Sequence, residues 1–171
     1  MDDFAALLIA EEPAAGVPDL FGRLIGSWRV NNRSLDEASG VWSEAEFTWT
    51  FVRTLDGLGV QDLIVLADGS IAGTSVRAWD ADAEVWRVSW FGVRGRNFGS
   101  FVARPEGADG IRLEGSGQDG RALLWQFSDI QADGFSWDGQ VETSAGWLHE
   151  QDMDAVRQSG PTVATAAPAT D

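Results

Sequence analysis

The chain has no cysteine, no lysine and no tyrosine, and only one histidine, His149. Without cysteine there is no disulfide frame, no thiolate nucleophile and no cysteine-based metal site. Without lysine and tyrosine, Schiff-base catalysis and a phenolic acid are excluded. One histidine cannot build a multi-histidine metal centre within one chain, so no metal is expected. No apolar run is long enough to span a bilayer, and the opening Met1-Asp2-Asp3-Phe4 is acidic, unlike a signal peptide. A cytoplasmic location is the expectation. Positive charge is scarce as well: 12 arginines stand against 27 acidic residues, giving a formal net charge of -15. Phosphate backbones and anionic lipid repel such a chain, so neither nucleic acid nor a membrane surface is an expected partner.

Aromatic side chains are what the chain has in excess: 9 Trp and 9 Phe in 171 residues. That length fits one domain with a sizeable core. In residues 1–25, Phe4, Leu7 and Leu8 form a short apolar stripe punctuated by Pro13 and Pro18. The expectation there is an N-terminal helical arm, either loose or acting as a lid over a barrel mouth. From 26 to 157 the pattern changes to short alternating runs. Gly- and Asp-rich breaks interrupt them at 36–40, 56–57, 68–69, 80–83, 94–96, 105–110, 117–120, 131–134 and 144–146. Breaks about every 12 residues predict an all-β, antiparallel up-and-down architecture of about 8–10 strands. Closure into a barrel removes the edges such a sheet would expose, and a sandwich is the alternative. Residues 158–171, rich in Ala, Thr and Pro, have too little apolar surface to fold and are expected to be disordered.

Hairpin arithmetic predicts the inner face. A two-residue Asp68-Gly69 turn pairs Leu66 with Ile71, Ile64 with Gly73, Asp62 with Ser75, and Val60 with Arg77. A loop over 81–84 pairs Trp79 with Trp86, Arg77 with Val88, and Ser75 with Trp90. Side chains alternate faces with period two, so Val60, Asp62, Ile64, Leu66, Ser75, Arg77, Trp79, Trp86, Val88 and Trp90 share one face, the more apolar and hence inner one. The expected interior thus holds an Asp62–Arg77 pair inside an aromatic wall. That pair is either a closed ion pair that orders the barrel, or a polar point where Arg77 meets a ligand oxygen and Asp62 accepts a proton. On the preceding strand, hydrophobicity places Phe47 and Trp49 inside; a one-residue slip would instead bring Glu46 in. Trp125 and Trp137 are further wall candidates, with no register to fix them. A two-residue Ser144-Ala145 turn pairs His149 with Gln140 on a polar face and Gln151 with Asp138. A three-residue turn puts His149 inside, where it would serve as an acid/base or a haem ligand.

The segment Leu24-Ile25-Gly26-Ser27-Trp28 resembles the Gly-x-Trp signature that opens lipocalin-like (calycin-type) barrels. The resemblance implies that Trp28 plugs the closed end and that an arginine late in the last strand, here Arg157, covers it. The run Gly73-Thr74-Ser75-Val76-Arg77-Ala78-Trp79-Asp80, followed by Trp86 and Trp90, is similar to a bacterial group of uncharacterised lipocalin-like proteins. Cofactor-free natural-product cyclases, including Diels–Alder barrels, share this architecture. The function implied is binding of a small apolar or aromatic metabolite without a cofactor, with cyclase or isomerase activity in natural-product biosynthesis as its enzymatic form. A non-catalytic carrier or sensor is the alternative. Nitrobindin-type haem barrels are similar in strand count and early Trp, which gives a third reading through His149, although Arg29-Val30 departs from their glycine pattern. Such a barrel would be a monomer or a homodimer.

Overall fold

A computed structural model describes residues 8–159 of the chain. Ten strands run in order: β1 (Gly26–Asp36), β2 (Val41–Thr54), β3 (Gly59–Leu66), β4 (Ile71–Asp80), β5 (Val85–Gly92), β6 (Asn97–Glu106), β7 (Gly110–Gly117), β8 (Ala122–Ser128), β9 (Gly134–Thr143) and β10 (Gly146–Arg157). Each pairs antiparallel with the next, and β1 pairs with β10 to close the barrel. All nine connections fall at the Gly- and Asp-rich breaks, where the chain reverses most cheaply.

The inner face is continuous around the barrel. Trp28, Val30, Phe47, Trp49, Phe51, Val60, Ile64, Trp86, Val88, Phe101, Leu113, Phe127, Phe135, Trp137 and Met153 form one buried cluster, with Trp79, Trp90 and Trp125 packed against it. Seven of the nine tryptophans therefore belong to or abut this core. Phe47 and Trp49 point inward and Glu46 is exposed, so the register does not slip. Trp79 faces Trp86, Arg77 faces Val88, and Ser75 faces Trp90.

Two irregularities correct the hairpin arithmetic. The β3–β4 turn is one residue longer than a two-residue turn, since the Leu66 amide donates to the Ser70 carbonyl at 2.8 Å. Ile71 therefore stands opposite Val65, not Leu66. A bulge around Ala72 absorbs the offset, so Gly73 is again opposite Ile64 and Arg77 opposite Val60. In β10 the two-residue turn is present, with Gly146 opposite Thr143 and His149 opposite Gln140. Beyond it, Glu150 is inserted as an extra residue, and Gln151 pairs with Gly139 instead of Asp138. That one-residue shift turns Gln151 inward.

Only part of the expected N-terminal helical arm can be described. Residues 1–7, with Phe4 and Leu7, lie outside the described residues, as do residues 160–171 of the expected disordered tail. From 9 to 25 the helix shrinks to a single 3-10 turn, Gly22–Leu24. Pro13 and Pro18 lack the amide donors that a longer helix needs, and Gly16 has a φ of 83°. This stretch seals the end of the barrel where β1 begins. Phe21 and Leu24 are fully buried there, and the Ala14 amide donates to the Gly57 carbonyl in the β2–β3 turn at 3.1 Å. Gly57 has a φ of 81°, and a Cβ there would lie 2.5 Å from the Ala14 amide nitrogen, so no larger residue fits.

Three arginines fasten this floor. Arg23 donates to the Asp109 carboxylate at 2.8 Å and the Ile130 carbonyl at 3.1 Å. Arg53 donates to both Asp19 oxygens at 2.9 Å. Arg157 lies 3.9 Å from the Trp28 ring centroid and donates to the carbonyls of Ile25, Arg23 and Ala132. Trp28 itself is wholly buried and donates its Nε1–H to the Leu24 carbonyl at 2.7 Å. The signature tryptophan thus plugs the closed end under an arginine, as the resemblance implied.

Candidate functional site

Above this floor the interior holds a cavity of about 220 Å³. It is lined by Arg77, Ser75, Trp49, Phe127, Leu113, Phe47, Ile64, Trp90, Trp125 and Trp137. It rises to Asn32, Ala45, Ala72, Asn97 and Gln151, of which Ala45 and Asn97 are exposed to solvent. The mouth therefore opens at the end carrying the β1–β2, β3–β4 and β5–β6 hairpins, opposite the floor.

The wall is made of aromatic rings seated over inward glycines. Trp90 lies opposite Gly99 on β6, and a Cβ on Gly73 would meet its ring at 2.4 Å. Trp125 lies opposite Gly139, where a Cβ would meet Trp137 at 2.8 Å. Phe101 lies opposite Gly115 and packs 4.0 Å from Trp125, centroid to centroid. Trp125 in turn meets Trp90 and Trp137 edge-on, at 6.1 and 5.4 Å. Across the cavity Trp49 stacks on Phe127 at 5.6 Å. The missing side chains are what leave room for large rings on neighbouring strands.

The polar point is the Asp62–Arg77 pair, with side chains 0% and 2% exposed. Arg77 donates through NH2 to Asp62 Oδ2 at 2.6 Å, and the Ser75 amide donates to Oδ1 at 2.7 Å. Asp62 is thereby engaged through both oxygens and stands behind the cavity wall. Arg77 is flanked by Phe21 and Phe51, its Cζ 5.0 and 5.3 Å from their ring centroids. Its Nε–H and NH1 groups have no hydrogen-bond partner, and neither do the indole N–H groups of Trp49 and Trp90. These four nitrogens are enclosed by packed side chains without a partner, and such groups are costly.

The structure divides the sequence-derived candidates. Phe47, Trp49, Ser75, Arg77, Trp90, Trp125 and Trp137 come together around the cavity. Val60, Trp79, Trp86 and Val88 face inward but lie lower, outside the cavity lining; Trp86 packs edge-on against Phe21 at 5.3 Å. Asp62 touches the site only through Arg77 and Ser75. His149 lies on the outer face, exposed, 2.5 Å from Asp152 and beside Trp42. It cannot act as an axial ligand inside the barrel, which removes the haem reading built on it.

Residues that hairpin arithmetic did not identify complete the rim. Gln151, turned inward by the Glu150 bulge, donates to the Asn32 Oδ1 at 2.6 Å. Nearby, Arg121 donates to both oxygens of Glu37 at 3.0 and 2.9 Å and to Asp119 at 2.7 Å, tying the β1–β2 and β7–β8 hairpins together. Burial pushes the Glu150 carboxyl above its ordinary range, and the Arg121 charge opposes that rise. Among the described residues no three His, Cys, Asp or Glu side chains converge as a metal site, and no helix is long and apolar enough to cross a membrane.

No protein-family model matches the chain, and no curated protein matches it. Solved structures do. The S-type phycobiliprotein lyase CPES from Guillardia theta is 14% identical, with a TM-score of 0.58 over 84% of this chain and 93% of that one. Rv2717c from M. tuberculosis is 17% identical, with a TM-score of 0.52 over 83% of this chain and 98% of that one. At such low identity the likeness concerns architecture, and the chain has the closed, ten-stranded, lipocalin-like barrel fold.

Proposed function

We propose that this barrel binds a small, largely apolar, ring-containing molecule in its central cavity. The observation that carries this reading is an aromatic-walled cavity of about 220 Å³, sealed at the Trp28 end and open at the other. An apolar cavity of about 150 Å³ suffices to bind benzene, so this one has room for a molecule of one or two rings. Most ligand sites are larger, about 300–1,000 Å³, which argues against an extended chain folded wholly inside. Binding or carriage of a compact molecule thus takes precedence over cyclisation of a long substrate. The phycobiliprotein lyase of the same fold supports the view that such barrels handle small molecules, by analogy alone.

One observation favours an enzymatic form. Arg77 is among the residues lining the cavity, and a guanidinium there is suited to stabilising negative charge on a carbonyl oxygen during isomerisation or ring closure. Asp62 is not a base in that scheme, because both its oxygens already accept hydrogen bonds.

Native mass spectrometry of the purified protein, with its extracted small molecules identified, tests the reading. A retained one- or two-ring compound is the expected result. A protein that retains nothing and binds no bicyclic compound by calorimetry at millimolar concentration overturns it. A retained pair of isomers would establish the enzymatic form.

A further inference from the structure

We infer that the occupant is an uncharged ring compound bearing a hydroxyl or amide group, read by Ser75, Asn32 and Gln151. This deepens the binding proposal above and rests on it. The unpartnered polar atoms around the cavity fall into two sets. Arg77 Nε and NH1 and the Nε1 atoms of Trp49 and Trp90 are enclosed by packed side chains. The second set is open. Ser75 lines the cavity and is 2% exposed; its amide donates to Asp62, and its hydroxyl has no partner among the described residues yet is not enclosed. What surface so buried a side chain keeps is turned toward the cavity. Asn32, 8% exposed, and Gln151 line it as well. Asn32 stands opposite Met153 and Ser34 opposite Gln151, so the two amides are diagonal neighbours across the β1–β10 seam. Gln151 donates to Asn32 Oδ1 at 2.6 Å, which leaves the Asn32 Nδ2 group and the Gln151 Oε1 atom unpartnered and not enclosed. Turning both amides over keeps that bond and again leaves one donor and one acceptor.

The open atoms decide the chemistry. The amide pair offers one donor and one acceptor, and a serine hydroxyl plays either part. A ligand hydroxyl, or an amide N–H with its carbonyl, answers both at once. A ketone or ether answers the donors alone. A hydrocarbon answers nothing, and it separates these groups from water when it binds. None of the open atoms carries charge. The formal net charge of -15 repels an anion, and the Arg77 guanidinium in the lining repels an ammonium. Trp90 and Trp125, which meet edge-on at 6.1 Å, supply the surface for the ring body.

The test is isothermal titration calorimetry of the full chain with four probes on one bicyclic frame: indane, 1-indanol, indane-1-carboxylate and 1-aminoindane, each taken to millimolar concentration. 1-Indanol should bind about three- to tenfold tighter than indane, the gain from one net hydrogen bond, and tighter than either charged probe. In a variant combining Ser75→Ala, Asn32→Val and Gln151→Met, that preference should vanish while indane affinity persists. Where the combined variant does not fold, Ser75→Ala and the Asn32→Val, Gln151→Met pair are measured separately, and at least one of them should narrow the preference. A preference unchanged in both overturns the assignment to these residues. Equal affinity for 1-indanol and indane overturns this inference and leaves the binding proposal standing. Tightest binding by a charged probe also overturns it, in favour of an ionic ligand. Binding of none of the four overturns the binding proposal itself.

Discussion

Removing either member of the Asp62–Arg77 pair should destabilise the barrel far more than removing both. In Arg77→Met the Asp62 carboxylate keeps only the Ser75 amide as a partner, inside a wall that leaves it 0% exposed. Breaking a buried pair from one side costs about 3–5 kcal/mol, because the remaining charge is uncompensated. Asp62→Leu strands the Arg77 charge in the same way and also strips the Ser75 amide of its acceptor, a further loss of about 1–3 kcal/mol. In the double variant no buried charge remains, and the expected cost falls to that last amount, about 1–3 kcal/mol. The coupling energy from the cycle should then reach about 3 kcal/mol or more. Urea unfolding followed by tryptophan fluorescence measures all four proteins, since the buried rings report on the barrel interior. A single-variant cost under about 1 kcal/mol, the range of exposed pairs, would refute the picture of a desolvated pair at the base of the cavity.

Other expectations follow from the same geometry. Trp28→Ala should cost about 3–5 kcal/mol, measured by chemical denaturation, because it empties the plugged end and removes the ring beneath Arg157. Gly139→Val should shrink the cavity and weaken ligand binding in calorimetry, since even a Cβ would press on Trp137 and Trp125; unchanged affinity would show that ligands do not occupy this level of the barrel. His149→Ala should leave stability within about 0.5 kcal/mol and ligand affinity unchanged, as befits an exposed residue outside the cavity. Glu150 has a carboxyl pKa raised by folding, so its contribution is fully favourable below the unfolded value and is lost as pH rises through the folded one. Glu150→Gln should therefore raise the Tm relative to the native chain at pH 7 more than at pH 4. Asp36, Asp68, Asp80 and Asp119 behave oppositely: serine hydroxyls or arginines hold them below the usual range, so their contribution fades as pH falls through their folded values.

The fold was legible because its signals are local. Breaks such as Asp68-Gly69 and Ser144–Gly146 mark turns through backbone chemistry alone, and two-fold alternation then identifies the inner face of β3, β4 and β5. The Asp62–Arg77 pairing survived a wrong turn length only because the bulge at Ala72 cancelled it. No such cancellation occurs at Glu150, which is why Gln151 was expected on the outside. A bulge is decided by packing between strands, and nothing in the local residues 149–151 announces it. The floor was missed for a similar reason: Phe21 and Leu24 read as a fragment of helix until the closed end they fill is known. The glycines that seat the rings, Gly73, Gly99, Gly115 and Gly139, lie inside strands, and their role depends on partners across neighbouring strands that local sequence does not reveal.

The seam of the barrel also has a kinetic consequence. It joins β1 to β10, setting Trp28 opposite Arg157, so the last pairing to be satisfied spans nearly the whole described chain. Every other ladder is a hairpin between neighbours and can zip locally. Non-local pairing of this kind makes folding slow, because loop-closure entropy is spent before the contacts form. Until Arg157 arrives, the edges of β1 and β10 stand open as templates for another chain, and the plugging indole is unshielded. A nascent chain halted before Gly146 would therefore hold the eight hairpins of β1 to β9 and no barrel, and aggregation during synthesis would be governed by the arrival of β10.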